Sequence, residues 1–128
     1  MRPDPSQIIV AYLISILAGH FIVDAILRLA RWHLGHRDKG KFSDIWIGGT
    51  ERAIATTLVW FAPGYVAPFI GAWIALKIAA NWGRLKGDSR EVRLGHLIAL
   101  IGNAWSFAVA IVAGVLLLNP GALAVWAK

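Results

Sequence analysis

The sequence predicts an all-α integral membrane protein, a single domain of 128 residues folded as a four-helix bundle that crosses the bilayer four times. Three observations carry that prediction. Hydrophobic residues make up 58% of the chain and charged residues 16%, more apolar surface than a water-soluble domain of this length can hide. Four mostly apolar stretches approach the roughly 20 residues that a helix needs to cross a hydrocarbon core. The positive charges gather between those stretches rather than within them.

Of the 13 Lys and Arg residues, eight fall in two short segments. Arg31, Arg37, Lys39 and Lys41 lie in one, and Arg84, Lys86, Arg90 and Arg93 in the other. The linker Ala62-Pro63-Gly64 is uncharged, and the ends carry only Arg2 and Lys128. Cytoplasmic loops of membrane proteins are enriched in Lys and Arg, so both basic loops are expected in the cytoplasm and both termini outside. The net charge of +6 then points to anionic lipids of the cytoplasmic leaflet, not to nucleic acid. With no cysteine, disulfides and thiolate chemistry are excluded, and a metal would need His and carboxylate ligands.

The first helix is expected from Ser6 to Arg31, with Pro3 and Pro5 ahead of it and Ser6 as its cap. It reads as a retained span rather than a secretory signal, because most of the positive charge follows it and His20 and Asp24 interrupt it. The second helix should begin at Ser43-Asp44 and end near Phe61, where Pro63-Gly64 breaks it. The third runs from Tyr65 to Trp82, and the fourth from Val92 to Leu118, stopped by Asn119-Pro120-Gly121. Trp32, Trp46, Trp60, Trp82 and Trp126 fall near these helix ends, where indole favours the headgroup level; Trp73 and Trp105 do not, and read as packing residues. Small residues recurring every three or four positions allow close helix approach. Gly71, Ala75 and Ala79 form such a line on the third helix, and Gly95, Ala99, Gly102 and Ser106 on the fourth, as bundle seams or oligomer contacts.

The informative residues are polar. Asp24, Glu51 and Lys77 each lie seven residues in from Arg31, Asp44 and Arg84, which places all three about 10 Å from the cytoplasmic helix ends at 1.5 Å per residue. Arg52 and His20 lie deeper, Asn81 and His96 nearer the cytoplasm, and Asn103 toward the middle of the fourth helix. An ionised side chain in hydrocarbon costs at least about 2.5 kcal/mol, so such groups pair, snorkel or face water. Asp24 and Glu51 against Arg52 and Lys77 make a formally neutral set, and interhelical ion pairs are expected, with Asp24 also within reach of Arg28 at i+4.

His20, Asp24 and Arg28 share one face of the first helix. A His and a carboxylate at that spacing can hold a metal or pass a proton, with Glu51 and His96 completing the shell; the alternative is a structural hydrogen-bonded pair. His33 and His36 belong to the basic loop. Arg52, Lys77, Arg84 and Arg93 would suit a phosphate, either a lipid headgroup or an anionic substrate, against nonspecific attraction of basic loops to anionic lipid. Gly48-Gly49-Thr50 lacks the rest of a phosphate loop. No cofactor is strongly implied.

Two short patterns, His20-Phe-Ile-Val-Asp24 and Gly48-Gly-Thr-Glu51-Arg52 followed by Lys77, resemble those of uncharacterised bacterial multi-pass membrane proteins that carry H-x-x-x-D and G-x-x-E-R helix motifs. The resemblance implies a bacterial inner-membrane location and marks Asp24, Glu51, Arg52 and Lys77 as a set; it brings no activity with it.

Three functions fit these residues. The first is a homo-oligomeric channel or transporter for protons, ions or a small polar solute, lined by the intramembrane charges. An accessory subunit of a larger membrane complex, with the same charges used for contact, is the alternative. An enzyme acting on a lipid phosphate ranks third, because the short loops hold no dense acidic motif for Mg²⁺.

Overall fold

The computed structural model describes residues 3–36, 42–80, 82–87 and 89–128 and, of residues 42–45, 84, 85 and 87, the backbone alone. Every regular element among them is helical. The helices are α1 (Pro5–Leu34), α2 (Phe42–Phe61), α3 (Val66–Ala80), α4 (Trp82–Gly87), α5 (Arg90–Leu117) and α6 (Ala122–Trp126). Among the described residues three stretches are long and apolar enough to cross a membrane: Pro5–Leu34, Pro63–Ala80 and Arg90–Leu117. Helix α2 has 20 residues, yet every 18-residue stretch of it carries Asp44, Glu51 and Arg52. Large apolar side chains such as Phe21, Phe61 and Leu116 stand on the outer surface of the helices, as a lipid-facing exterior requires.

Helix α1 starts with Pro5 at its first position, where the fixed φ suits the helix and no donor is lost. The Asp4 N–H donates to Gln7 Oε1 at 2.9 Å, and Ser6, expected as the cap, instead donates its hydroxyl to Asp4 Oδ2. The helix runs past Arg31 to Leu34, where Gly35 at φ +66° closes it. In that left-handed turn the His36 N–H donates to Arg31 O at 3.0 Å, and only glycine adopts the conformation without strain. Midway, Ile14–Ala18 widens into a π-helical turn. A short helix, α4, occupies Trp82–Gly87 where the sequence suggested a loop. Its first and fifth residues explain it: Lys86 Nζ lies 5.6 Å over the Trp82 ring, an i,i+4 pair that supports a single helical turn.

Helix α2 packs chiefly on α5 and also meets α1 and α3. Ala55, Phe107 and Ala110 form one buried cluster, with Phe69, Ile70, Trp73 and Ile74 of α3 laid against it. Val59, Val66, Val115 and Ala122 form a second, toward the end of α2. Asn119 ties that end down by donating to Val59 O at 3.1 Å and Trp60 O at 3.4 Å.

The small residues of α5 do form a seam. Gly102 and Ser106 are buried while Ala99 is exposed, and the buried line continues through Ala110, Ala113 and Gly114. A Cβ on Gly102 would lie 3.0 Å from Leu27 Cδ2 of α1, and one on Gly114 would lie 2.9 Å from Val59 Cβ of α2. The line on α3 behaves otherwise. A Cβ on Gly71 would meet nothing within 4 Å, and the exposed Ala75 and Ala79 line an outward groove with Ile78 and Trp82. Among the described residues that line is no seam, because α3 meets its neighbours through Phe69, Ile70, Trp73 and Ile74 instead. Trp105 also departs from expectation: it is exposed rather than packed, because Ser106 and Phe107 take the inward positions of α5.

Candidate functional site

The polar residues divide into three groups instead of one cluster. The first centres on Glu51, which is 1% exposed on the inner face of α2. Its Oε1 accepts from the indole N–H of Trp73 at 2.8 Å and pairs closely with Lys77 Nζ, both from α3. Lys77 Nζ also donates to Asn103 Oδ1 of α5 at 2.8 Å and lies 5.8 Å from the Trp73 ring centroid. Three helices thus meet at one ion pair. The spacing of Trp73 and Lys77, four residues apart, puts both on the same face of α3. Glu51 Oε2 is buried and meets no partner. Lys77 sits at the rim, its side chain 26% exposed against 2% for Glu51.

The second group is built on Arg52, 3% exposed and turned toward α1 and α5. Its Nη1 donates to Ser106 Oγ at 3.0 Å, and its Nη2 donates to Ile16 O at 3.3 Å, inside the π-helical turn. A wide turn of this kind presents a carbonyl to a neighbouring helix. Gly19 and Gly48 border the side chain: a Cβ on Gly19 would lie 2.8 Å from Arg52 Cδ, and one on Gly48 3.3 Å from Nη1. Arg52 Nε is buried without a partner. Along the same seam Ser15 and Thr56 share a hydroxyl hydrogen bond of 2.8 Å, and Tyr12 bonds Thr57. The guanidinium therefore binds neutral acceptors rather than Asp24.

Asp24 belongs to the third group. Its Oδ2 lies 2.7 Å from Arg28 Nη2 and its Oδ1 3.9 Å from Arg31 Nη2, all within α1. With Arg28 76% exposed, this pair lies at the surface and adds little stability. The i+4 partner expected from the sequence is present; the interhelical partner expected for Asp24 is replaced by Arg31. The His20 ring lies 5.6 Å from that of Phe21, tilted at 55° to it, and His96 is half-buried on α5. Among the described residues no three His, Cys, Asp or Glu come together as a metal site, so His20, Asp24, Glu51 and His96 are not gathered into a coordination shell.

Of the residues suited to a phosphate, Arg52 points inward and Arg93 outward. The Arg84 side chain, Asn81, Arg37, Lys39 and Lys41 lie outside the described residues, as do the side chains of Ser43 and Asp44. Trp73, Ser15 and Thr56 are the site residues that sequence reasoning passed over. Arg52 and Thr56 stand at i,i+4 on the side of α2 that also carries Glu51, Ala55 and Val59, a stripe that marks the inner face.

The role of Trp73 can be checked on its own. Trp73→Phe keeps a benzene ring but removes the pyrrole half of the indole, and with it the N–H given to a charged oxygen, a bond worth about 1.5 kcal/mol or more. The variant is expected to unfold earlier in a detergent thermal melt by that order, with its helix content unchanged.

No protein-family model matches the chain, and no curated protein or solved structure matches it.

Proposed function

We propose that the protein crosses a bacterial inner membrane four times, with both termini outside and both basic loops cytoplasmic. Self-associated copies carry or conduct protons, ions or a small polar solute. Helix α2 is the fourth span. Its 20 residues reach about 30 Å, a hydrocarbon thickness, and Glu51 and Arg52 are sheltered by α1, α3 and α5 rather than shown to lipid. The exposed Arg28, Lys86, Arg90 and Arg93 would face anionic lipid on the cytoplasmic side.

The observation that carries the transport reading is the Glu51–Lys77 pair. An acid almost wholly enclosed by protein is joined to the surface through a base at the rim, an arrangement that marks ion and proton pathways in membrane proteins. The direct contacts within the site favour a route along the face where Lys77 emerges, between copies of the chain. In liposomes carrying the wild-type protein, Glu51→Gln should abolish flux. The fold should survive, because the amide oxygen still accepts from Trp73 and Lys77. Normal flux through the variant would remove Glu51 from the mechanism.

A second reading, an accessory subunit of a larger membrane complex, is favoured by the outward groove of Ala75, Ile78, Ala79 and Trp82, whose two alanines allow a partner helix to approach closely. Native mass spectrometry of gently released protein separates the two. Copies of the chain alone support transport by self-association, and a stoichiometric foreign subunit supports the accessory role.

A further inference from the structure

We propose that the cargo is the proton and that Glu51 Oε2 is where it is loaded; this rests on the transport reading and narrows it. Oε1 is committed to Trp73 and Lys77, whereas Oε2 is a buried carboxylate oxygen with no partner. A buried charged oxygen left unpaired is costly, and an added proton relieves that cost without displacing a helix. Nothing larger fits as readily. Glu51 touches both Trp73 and Lys77 directly, Lys77 touches Asn103, and Glu51 is 1% exposed, so a hydrated ion or organic solute would have to separate α2 from α3 to reach the carboxylate.

Loading is a simple protonation. One O–H bond forms at Oε2, the carboxylate becomes a carboxylic acid, and no redox change or leaving group is involved; release breaks the same bond and returns the proton to water. The groups around Glu51 make the step reversible. Lys77, losing the anion it was paired with, keeps its bond to the neutral Asn103 Oδ1 and stays in place. Asn103 is thus a positioning residue. Arg52, next to Glu51 on α2 and bonded away to Ser106 and Ile16, contributes a second positive charge. Asp24, Arg28 and Arg31 form their own group on α1.

The test combines two measurements on the full chain in lipid vesicles. Infrared difference spectra across a pH titration read the carboxylic-acid carbonyl of Glu51, and flux is followed with a pH-sensitive dye and, in parallel, with Na⁺, K⁺ and Cl⁻. The expected result is a titrating carbonyl band that disappears in Glu51→Gln, together with proton flux that is lost in the same variant. Asn103→Leu should shift the pH profile of that flux, beyond the modest lowering of melting temperature that losing one hydrogen bond to a charged group brings. Flux of another ion with no proton movement, or the absence of a titrating band assignable to Glu51, would overturn the proton assignment and leave the transport reading standing. No flux of any ion, even with the band present, would overturn the transport reading and the cargo with it.

Discussion

Lys77→Met should destabilise the protein by about 3–5 kcal/mol, the cost of leaving a buried charge without its partner. Methionine fills a similar volume and keeps the helical propensity, so the loss is electrostatic rather than a matter of packing. Glu51 would retain the Trp73 N–H but face α3 with no cation. The double variant Glu51→Gln with Lys77→Met should recover most of the loss, because a neutral amide opposite a thioether strands no charge. Unfolding in detergent, by heat or by added denaturing surfactant, reads both. A single variant as stable as wild type would mean that the pair does not hold α3 to α2, and the charges would then have to be kept for function alone. Since α3 meets α2 and α5 mainly through Phe69, Ile70, Trp73 and Ile74, the ion pair is the strongest candidate for fixing its rotation.

The membrane character, the helix breaks at Ala62-Pro63-Gly64 and Asn119-Pro120-Gly121, and an interhelical ion pair drawing on Glu51 and Lys77 were legible in the sequence because they rest on composition, on proline and on charge depth. Depth was the limit of that reading. Residues at one level of a bilayer can still face different neighbours, and rotation about each helix decides which of them meet. Asp24, Glu51 and Lys77 are expected at one depth and Arg52 a residue deeper, yet Glu51 turns toward α3 and Arg52 toward α1 and α5. Adjacent residues on a helix point about 100° apart, so Glu51 and Arg52 had to serve different interfaces. The hydroxyl contact of Ser15 with Thr56 was harder to see, because serine and threonine are common in membrane helices and only the buried stripe on α2 gives Thr56 away. The π-helical turn had no local signal; it accompanies the reach of Arg52 to Ile16 O, a contact between residues 36 apart.

Gly114→Leu is expected to have the largest packing effect. The ideal Cβ at this position lies 2.9 Å from both Cβ and Cγ1 of Val59 and 3.4 Å from its Cγ2. Val59 is fully buried, and a β-branched side chain in a helix has essentially one χ1 rotamer, so it cannot turn aside. The seam between α2 and α5 must open, and overpacking of this kind costs about 1–3 kcal/mol or more. Alanine at the same position should show a smaller loss, its gain in helix propensity of about 1 kcal/mol working against the clash. Gly71→Ala is the control in another apolar helix: its Cβ meets nothing within 4 Å, so stability should hold or rise. Pairing Gly114→Ala with Val59→Ala should return part of the loss by removing the atoms that collide. If Gly114→Leu and Gly71→Leu melted alike, α2 and α5 would not be in contact at Val59, and the sheltered position of Glu51 and Arg52, which depends on that seam, would lose its basis.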